Sequence, residues 1–267
     1  MEVINFETAL RLGVFVTALL LFALLSTAFP RRRLRAIWWQ RWLDNLGLTA
    51  VDTWLLRLLF PAAAVGFAAY VNEQGWGLMN LWSPPSWLTA LISIVALDLL
   101  VYWQHVFFHK IPLLWRLHKV HHTDLDVDVT TGFRFHPIEI ILSMLIKCAA
   151  IAILGASAWG VLLFELILST SAMFNHSNLR LAPTLDHLLR LIIVTPDMHR
   201  VHHSAIPKET DSNFGFALSL WDRWFKSYRP QPQAGHDDMI IGLKEHRELS
   251  QLHLPRLLLM PFLPNKR

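Results

Sequence analysis

Cysteine is nearly absent from this chain: Cys148 stands alone among 267 residues, which excludes an intramolecular disulfide and any cysteine-based metal site. Charge is scarce as well. Lys, Arg, Asp and Glu make up 16% of the sequence, against about 25% in an ordinary soluble domain. With 54% hydrophobic residues and a mean hydropathy of +0.37, that shortage indicates a membrane protein. The His-Glu-x-x-His word of zinc peptidases does not occur, and neither does a low-complexity tract. A cleavable secretory signal is not expected, because Glu2 and Glu7 precede the first apolar run and arginines follow it, the reverse of the usual order. The net charge of +4 is compatible with nucleic acid, but twelve tryptophans beside long apolar runs point to a bilayer surface and to no nucleic-acid partner.

The apolar runs give an order of spans. Residues 12–29 are 18 positions without a charge, which at about 1.5 Å per residue cover most of a roughly 30 Å hydrocarbon core. Arg31, Arg32, Arg33 and Arg35 follow at once, and the positive-inside rule places them in the cytoplasm. Residues 36–48, with Trp38, Trp39 and Trp42 among Arg41 and Asp44, read as a helix lying in the interface. Residues 54–71 form a second span with Pro61 as a kink. The loop 72–86 has no Lys or Arg, as a non-cytoplasmic side requires. Residues 87–108 form the third span. Residues 138–154 and 159–174 are either two further spans or a hairpin that enters the bilayer partway. Residues 254–263 are too short to span and are broken by Pro255 and Pro261.

The fold expected is therefore an all-α integral membrane protein with four to five membrane-embedded helices and a cytoplasmic helical cap. Residues 1–86 would form a transmembrane hairpin and interfacial helix, 87–230 a histidine-motif catalytic domain, and 231–267 a tail packing on the cap or the membrane.

Histidine is plentiful where cysteine is missing. His118, His121 and His122 share a helical spacing of i, i+3 and i+4 with His199, His202 and His203, and His105 and His109 precede them four residues apart. Residues at those intervals lie on one helical face. Imidazole is the common nitrogen ligand for zinc, iron, copper and nickel. Eight clustered imidazoles exceed the three or four protein ligands of one zinc, so two metals are the economical reading, and span parity brings every cluster to one face of the membrane. Asp98 and Tyr102 share the helical face of His105 and His109, and are expected to support ligands or line a cavity wall. Lys147, midway along the fourth apolar run, is compatible both with snorkelling and with facing a cavity. Asp124, Asp126, Asp128, Glu139 and Asp197 are candidates to orient imidazoles or carry protons, and the first three fit a solvated acidic loop equally well.

The words His105-x3-His109, His118-x2-His121-His122, His136-Pro, Phe174-Asn-His-Ser-Asn178, His199-x2-His202-His203, Asn213-Phe-Gly215 and Trp221-Asp-Arg223 together resemble the fatty acid hydroxylase / sterol desaturase superfamily over roughly residues 87–228. The resemblance implies a membrane-bound di-iron oxygenase that hydroxylates or desaturates a lipid such as a sterol, fatty acyl chain, ether lipid or carotenoid. It further implies two iron ions, which zinc can replace in a purified sample, and dioxygen as co-substrate. Electrons would come from a separate donor, a ferredoxin, a cytochrome b5-like protein or a flavin reductase. The same resemblance makes the eight clustered histidines metal ligands, His176 a ninth, and His136 a less secure tenth. Lys226-Ser227 stands where many members have Gly-Thr, a departure in a surface turn. His187, His236, His246 and His253 fall outside the motifs and are expected not to bind metal.

Two other classes compete. A membrane zinc hydrolase lacks its signature here and would leave most of these imidazoles unused. A histidine-rich metal transporter needs polar residues along its spans, which are few. The preferred setting is a bacterial inner membrane with the metal site on the cytoplasmic side, although an endoplasmic reticulum membrane gives the same topology.

Overall fold

The computed structural model describes residues 2–34 and 36–264, with side chains from Phe6 onward. Arg35 therefore lies outside the described residues. Helix α1 (Glu2–Ala28) is followed by α2 (Trp38–Leu59), α3 (Ala63–Glu73), the short α4 (Leu78–Trp82), α5 (Ser86–Lys110) and α6 (Pro112–His122). A 3₁₀ turn (Val129–Phe133) leads to α7 (Pro137–Leu154) and α8 (Ala158–His176). Short helices complete the chain: α9 (Pro183–Leu189), α10 (Pro196–His202), α11 (Pro207–Thr210), α12 (Leu220–Trp224), α13 (Gly235–Asp238) and α14 (Leu254–Leu259). Among the described residues there is no β-strand, only isolated bridges such as Pro30 with Leu179.

Among the described residues, five helical stretches are long and apolar enough to cross a membrane: Phe6–Ala28, Trp38–Trp82, Ser86–Lys110, Pro137–Leu154 and Ala158–His176. Large apolar side chains on their outer faces, among them Leu12, Leu24, Trp54, Leu81 and Ile153, are exposed, as lipid contact requires. Both α7 and α8 have the length to cross.

The second stretch differs from expectation. No separate interfacial helix covers 36–48, because nothing between Leu48 and Thr53 breaks a helix, and α2 runs unbroken from Trp38 to Leu59. The chain stops instead at Phe60, the residue before Pro61, and restarts after Ala63 turns with φ of 50°. Pro61 carries no N–H and crowds the residue ahead of it, so it ends α2 rather than bending it.

Helix ends place the chain at two levels. Gly155 closes α7 at φ 70°, a conformation that favours glycine, and Ser157 opens α8 by accepting the Gly160 N–H at 3.0 Å. That turn touches the one before α4: a Cβ on Gly77 would lie 2.1 Å from the Gly155 nitrogen. Here the core is apolar and finely packed, with Ala64, Ala68, Leu97, Ile151, Val161 and Phe164 buried between α3, α5, α7 and α8.

The opposite level is polar. Arg41 of α2 reaches Asp124 at 2.6 and 2.8 Å and Asp128 at 2.6 Å, and Arg134 donates to the Asn45 amide oxygen at 2.7 Å. Although burial would raise it, the Asp124 carboxyl is held well below the usual range by Arg41. Asp124, Asp126 and Asp128 are thus a buried frame, not a solvated loop. The tail adds a lid: Leu252, Leu257 and Met260 pack on Leu48 and Val120, so residues 254–263 rest on α2 and α6.

Candidate metal centre

Local chemistry explains how each histidine is presented. His105 and His109 occupy the last two turns of α5, which ends at Ile111 because Pro112 follows and opens α6. Pro196, with Thr195 as N-cap, starts α10 in the same way. At the end of α8, His176 donates its Nδ1–H to the Ala172 carbonyl at 2.7 Å, the backbone one turn earlier.

The structure brings nine of the ten histidines together, in two groups. His105, His109, His118, His122 and His202 form one, and His121, His176, His199 and His203 the other, each with its nitrogens within 4.8 Å of one another. Each His-x-x-His-His triplet is divided between them. His118 and His122 project from α6 into the first group and His121 into the second; His199 and His203 join the second and His202 the first.

Tautomers are set by what lies behind the rings. The Nδ1 atoms of His105, His118 and His202 face the Phe214 carbonyl at 2.8 Å, the Glu139 carboxylate at 2.7 Å and the Ser212 carbonyl at 2.7 Å. His109 Nδ1 faces Asp211 at 3.3 Å. An oxygen acceptor fixes the proton on Nδ1 and turns the Nε2 lone pair inward. Those Nε2 atoms of His105, His109, His118 and His202 are buried without a hydrogen-bond partner, as are both ring nitrogens of His122 and His203. In the second group the Nε2 of His176 lies 3.2 Å from that of His121 and 3.0 Å from that of His199. One lone pair cannot satisfy both neighbours with hydrogen bonds, whereas a cation among them satisfies all three.

Electrostatics agrees with a ligand role. Burial drives the His118 imidazole down to about 3. Burial and then the neighbouring imidazoles hold His121, His122, His199, His202 and His203 well below the ordinary histidine value. All are neutral near pH 7, the state in which imidazole binds metal. The donor set fits two transition-metal ions with nitrogen preference.

The other expected residues sit elsewhere. His136 caps α7, accepting the Ile138 N–H, while its Nε2 meets the Leu258 carbonyl at 3.1 Å, so it stands outside both groups. Asp98 does not reach the histidines or the cavity wall. It accepts from the backbone N–H groups of Ala217 and Leu218 and from Trp221 Nε1 at 2.8 Å. Tyr102 shares a hydrogen with Ser227 at 2.8 Å. Asp197 pairs with Arg31 at 3.1 Å and with Arg200, which carries Arg200 to the back of α10, where it also donates to the Ser177 carbonyl. Of the acidic candidates, Glu139 is the one in contact with a clustered histidine.

Backbone carbonyls are the supports that sequence reasoning missed. Ser212 and Phe214 flank Asn213, whose φ of 53° turns both carbonyls toward the histidines. Its side chain locks the turn by donating to the Met198 and Arg229 carbonyls and accepting from the Arg229 N–H. Asp222 accepts the N–H groups of Phe214 and Gly215, and a Cβ at Gly215 would lie 2.6 Å from that carboxylate. The Asn-Phe-Gly and Trp-Asp-Arg words therefore encode one clamp behind His105 and His202, and their place soon after the second triplet was the available signal.

A cavity of about 340 Å³ runs from this centre into the membrane-crossing helices. His105 and His118 line it at one end, with Phe108, Phe135 and Phe216 around them. Phe135 stacks on His121, ring centres 4.6 Å apart.

Fold and site thus define a class: an integral membrane protein whose bundle ends in two histidine groups arranged to hold metal. The sequence model of the fatty acid hydroxylase family matches residues 90–227, more than half of the chain, and the chain belongs to that family. It is 29% identical over 228 residues to an alkylglycerol monooxygenase of Xenopus tropicalis, covering 82% of this chain and 47% of that protein. It is 28% identical over 207 residues to the human alkylglycerol monooxygenase, 73% of this chain and 42% of the relative. An ornithine lipid hydroxylase, OlsE of Rhizobium tropici, is 28% identical over 205 residues, 73% and 60% of the two chains. The chain thus spans about half the length of the curated relatives it matches. No solved structure matches.

Proposed function

We propose that this protein is a membrane-bound oxygenase that hydroxylates or desaturates a lipid, using two iron ions, dioxygen and electrons from a separate donor protein. The observation that carries the reading is the apolar cavity: it opens among membrane-crossing helices and ends on His105 and His118. A lipid chain is the ligand that such a space suits. The relatives named alkylglycerol monooxygenase and ornithine lipid hydroxylase favour the same class of substrate.

His105, His109, His118, His122 and His202 would hold one iron, and His121, His176, His199 and His203 the other. When bound, the pair supplies the redox capacity to reduce dioxygen and remove hydrogen from an unactivated C–H bond. Hydroxylation consumes one dioxygen, two electrons and two protons, placing one oxygen in the lipid and one in water. Desaturation uses the same inputs and releases two waters. The protein's own part is positional: Glu139 and the Ser212 and Phe214 carbonyls fix the imidazoles, and Phe108, Phe135 and Phe216 exclude water around the chain. The arginines after α1 and span parity favour placing the metal end in the cytoplasm, as in a bacterial inner membrane.

The test joins metal analysis to lipid analysis. Purified protein should carry about two irons per chain, and lipid extracts from cells with and without the gene should differ by one oxygen or two hydrogens in one lipid class. His202→Ala should abolish that difference. One zinc per chain and hydrolytic activity in place of oxidation would overturn the reading.

A further inference from the structure

The cavity's far end is built unlike the rest of its wall. Arg11 of α1, Lys147 of α7 and Glu165 of α8 meet there and all line it. Lys147 Nζ lies 2.5 Å from Glu165 Oε1, and Arg11 donates through Nη2 to Glu165 Oε2 at 2.7 Å and through Nε to Glu7 at 2.8 Å. Lys147 is ten residues along α7 from Pro137, about 15 Å from the metal end of that helix. Glu165 is eleven residues before His176. Lys147 and Glu165 therefore sit midway along two membrane-crossing helices, where an ionisable side chain is expensive and marks a functional site by default, and Arg11 reaches them from the early turns of α1.

A tie between helices uses only part of it: Lys147 joins α7, and Arg11 joins α1, to Glu165 of α8, and the two cations occupy both of its oxygens. Lys147 gives one of its three N–H donors to Glu165, and Arg11 gives two of its five to carboxylates. With donors left over, both side chains line a space walled by Leu100, Val101, Met144, Phe164 and Leu168. Two cations against Glu7 and Glu165 leave no net charge, so the complementary group is a neutral hydrogen-bond acceptor.

We propose that Lys147 and Arg11, held in place by Glu165, form a subsite for a hydroxyl or carbonyl oxygen on the lipid substrate, remote from the carbon that is oxidised. The proposal rests on the cavity being the lipid site and deepens that reading by naming the substrate as an oxygen-bearing lipid. Glu139, which holds His118, and Lys147 are eight residues apart on α7, about 12 Å along the axis. An oxygen anchored at Lys147 thus presents to the histidines a carbon several methylenes away. Position along the chain is then selected by spacing rather than by intrinsic reactivity.

Thermal unfolding of the detergent-purified full chain tests this with n-alkan-1-ols and the n-alkanes of the same chain lengths. At its best length the alkanol should bind about tenfold more tightly than the alkane, the scale of one well-made hydrogen bond. Lys147→Arg should keep that preference. Lys147→Met and Arg11→Met combined with Glu165→Leu, which leaves none of the three polar side chains at this end of the cavity, should lose it. Equal stabilisation by alkane and alkanol at every length, a comparison that needs no variant, would overturn the proposal and leave the cluster as a floor that limits chain length. Retention of the preference in the triple variant would also overturn it. Binding is read without turnover: an alkanol preference without lipid oxidation would discard the oxygenase reading alone, and lipid oxidation without the preference would discard the subsite alone.

Discussion

At the scale of single residues, the centre depends on what stands behind each ring. Glu139 holds the Nδ1–H of His118 at 2.7 Å, and Glu139→Gln should lower metal affinity by about 10–100-fold, measured by competition with a chelator. A different outcome is expected at His236, buried but outside both histidine groups. Burial outweighs the attraction of Asp197 and holds its imidazole down to about 4, against about 6.5 in the unfolded chain. Between those values the unfolded chain carries a proton that the folded one refuses. The contribution is therefore complete above about pH 6.5 and lost as pH falls toward 4. His236→Gln should make acid unfolding shallower over that window, by at most about 1.4 kcal/mol per pH unit, read from unfolding midpoints at a series of pH values. The clustering of eight histidines was legible in the sequence because helical spacing puts each set on one face, but the division of each triplet between two groups was not. The separation of His136 from them was not, since a histidine before proline reads the same whether it caps a helix or binds a metal.

Between residue and molecule, short elements do the positioning. The 211–222 segment contains no helix until Leu220, and it is fixed by Asp98 reaching across from α5 to two backbone N–H groups and Trp221. Asp98→Ala strands those three donors at about 1–3 kcal/mol each before relaxation. We expect a loss of at least about 3 kcal/mol in thermal unfolding, with Asp98→Asn losing less, because an amide oxygen still accepts. At the far level, Gly155→Ala should be destabilising by about 1–2 kcal/mol from its φ alone, with further loss because the new Cβ would meet the Trp76 carbonyl at 2.8 Å. Gly13→Ala is the control: its Cβ meets nothing within 4 Å, and alanine favours a helix. The sequence gives away the helix breaks through proline, at Pro112, Pro137 and Pro196. It conceals the carbonyl clamp, because a backbone oxygen leaves no letter of its own and shows only through the turn residues Asn213 and Gly215.

For the whole molecule, composition and apolar length already implied a helical bundle in a membrane, and among the described residues five helical stretches of sufficient length are present. What they did not imply was the path of residues 36–62, where α2 runs unbroken from Trp38 to Leu59 and puts its Arg41 and Asn45 into the polar frame. The reason is tertiary: an interfacial sequence and a helix entry look alike until Asp124 and Thr130 supply partners from 79 and 85 residues away. The chain's proposed orientation is open to direct measurement. A cytoplasmic reporter fused after Arg267 should be active, and activity of a periplasmic reporter alone would invert the bundle.

The division of each triplet between the two histidine groups has a consequence for assembly. Because α6 and α10 each serve both groups, an ion captured by either one immobilises the helices that build the other. Ordering already achieved by the first ion need not be achieved again by the second, and the two uptake events become linked. Metal titration of the stripped protein should then be sigmoidal, with the singly loaded species scarce throughout. A one-residue insertion within α6 would turn its later imidazoles by about 100°, stripping both groups at once.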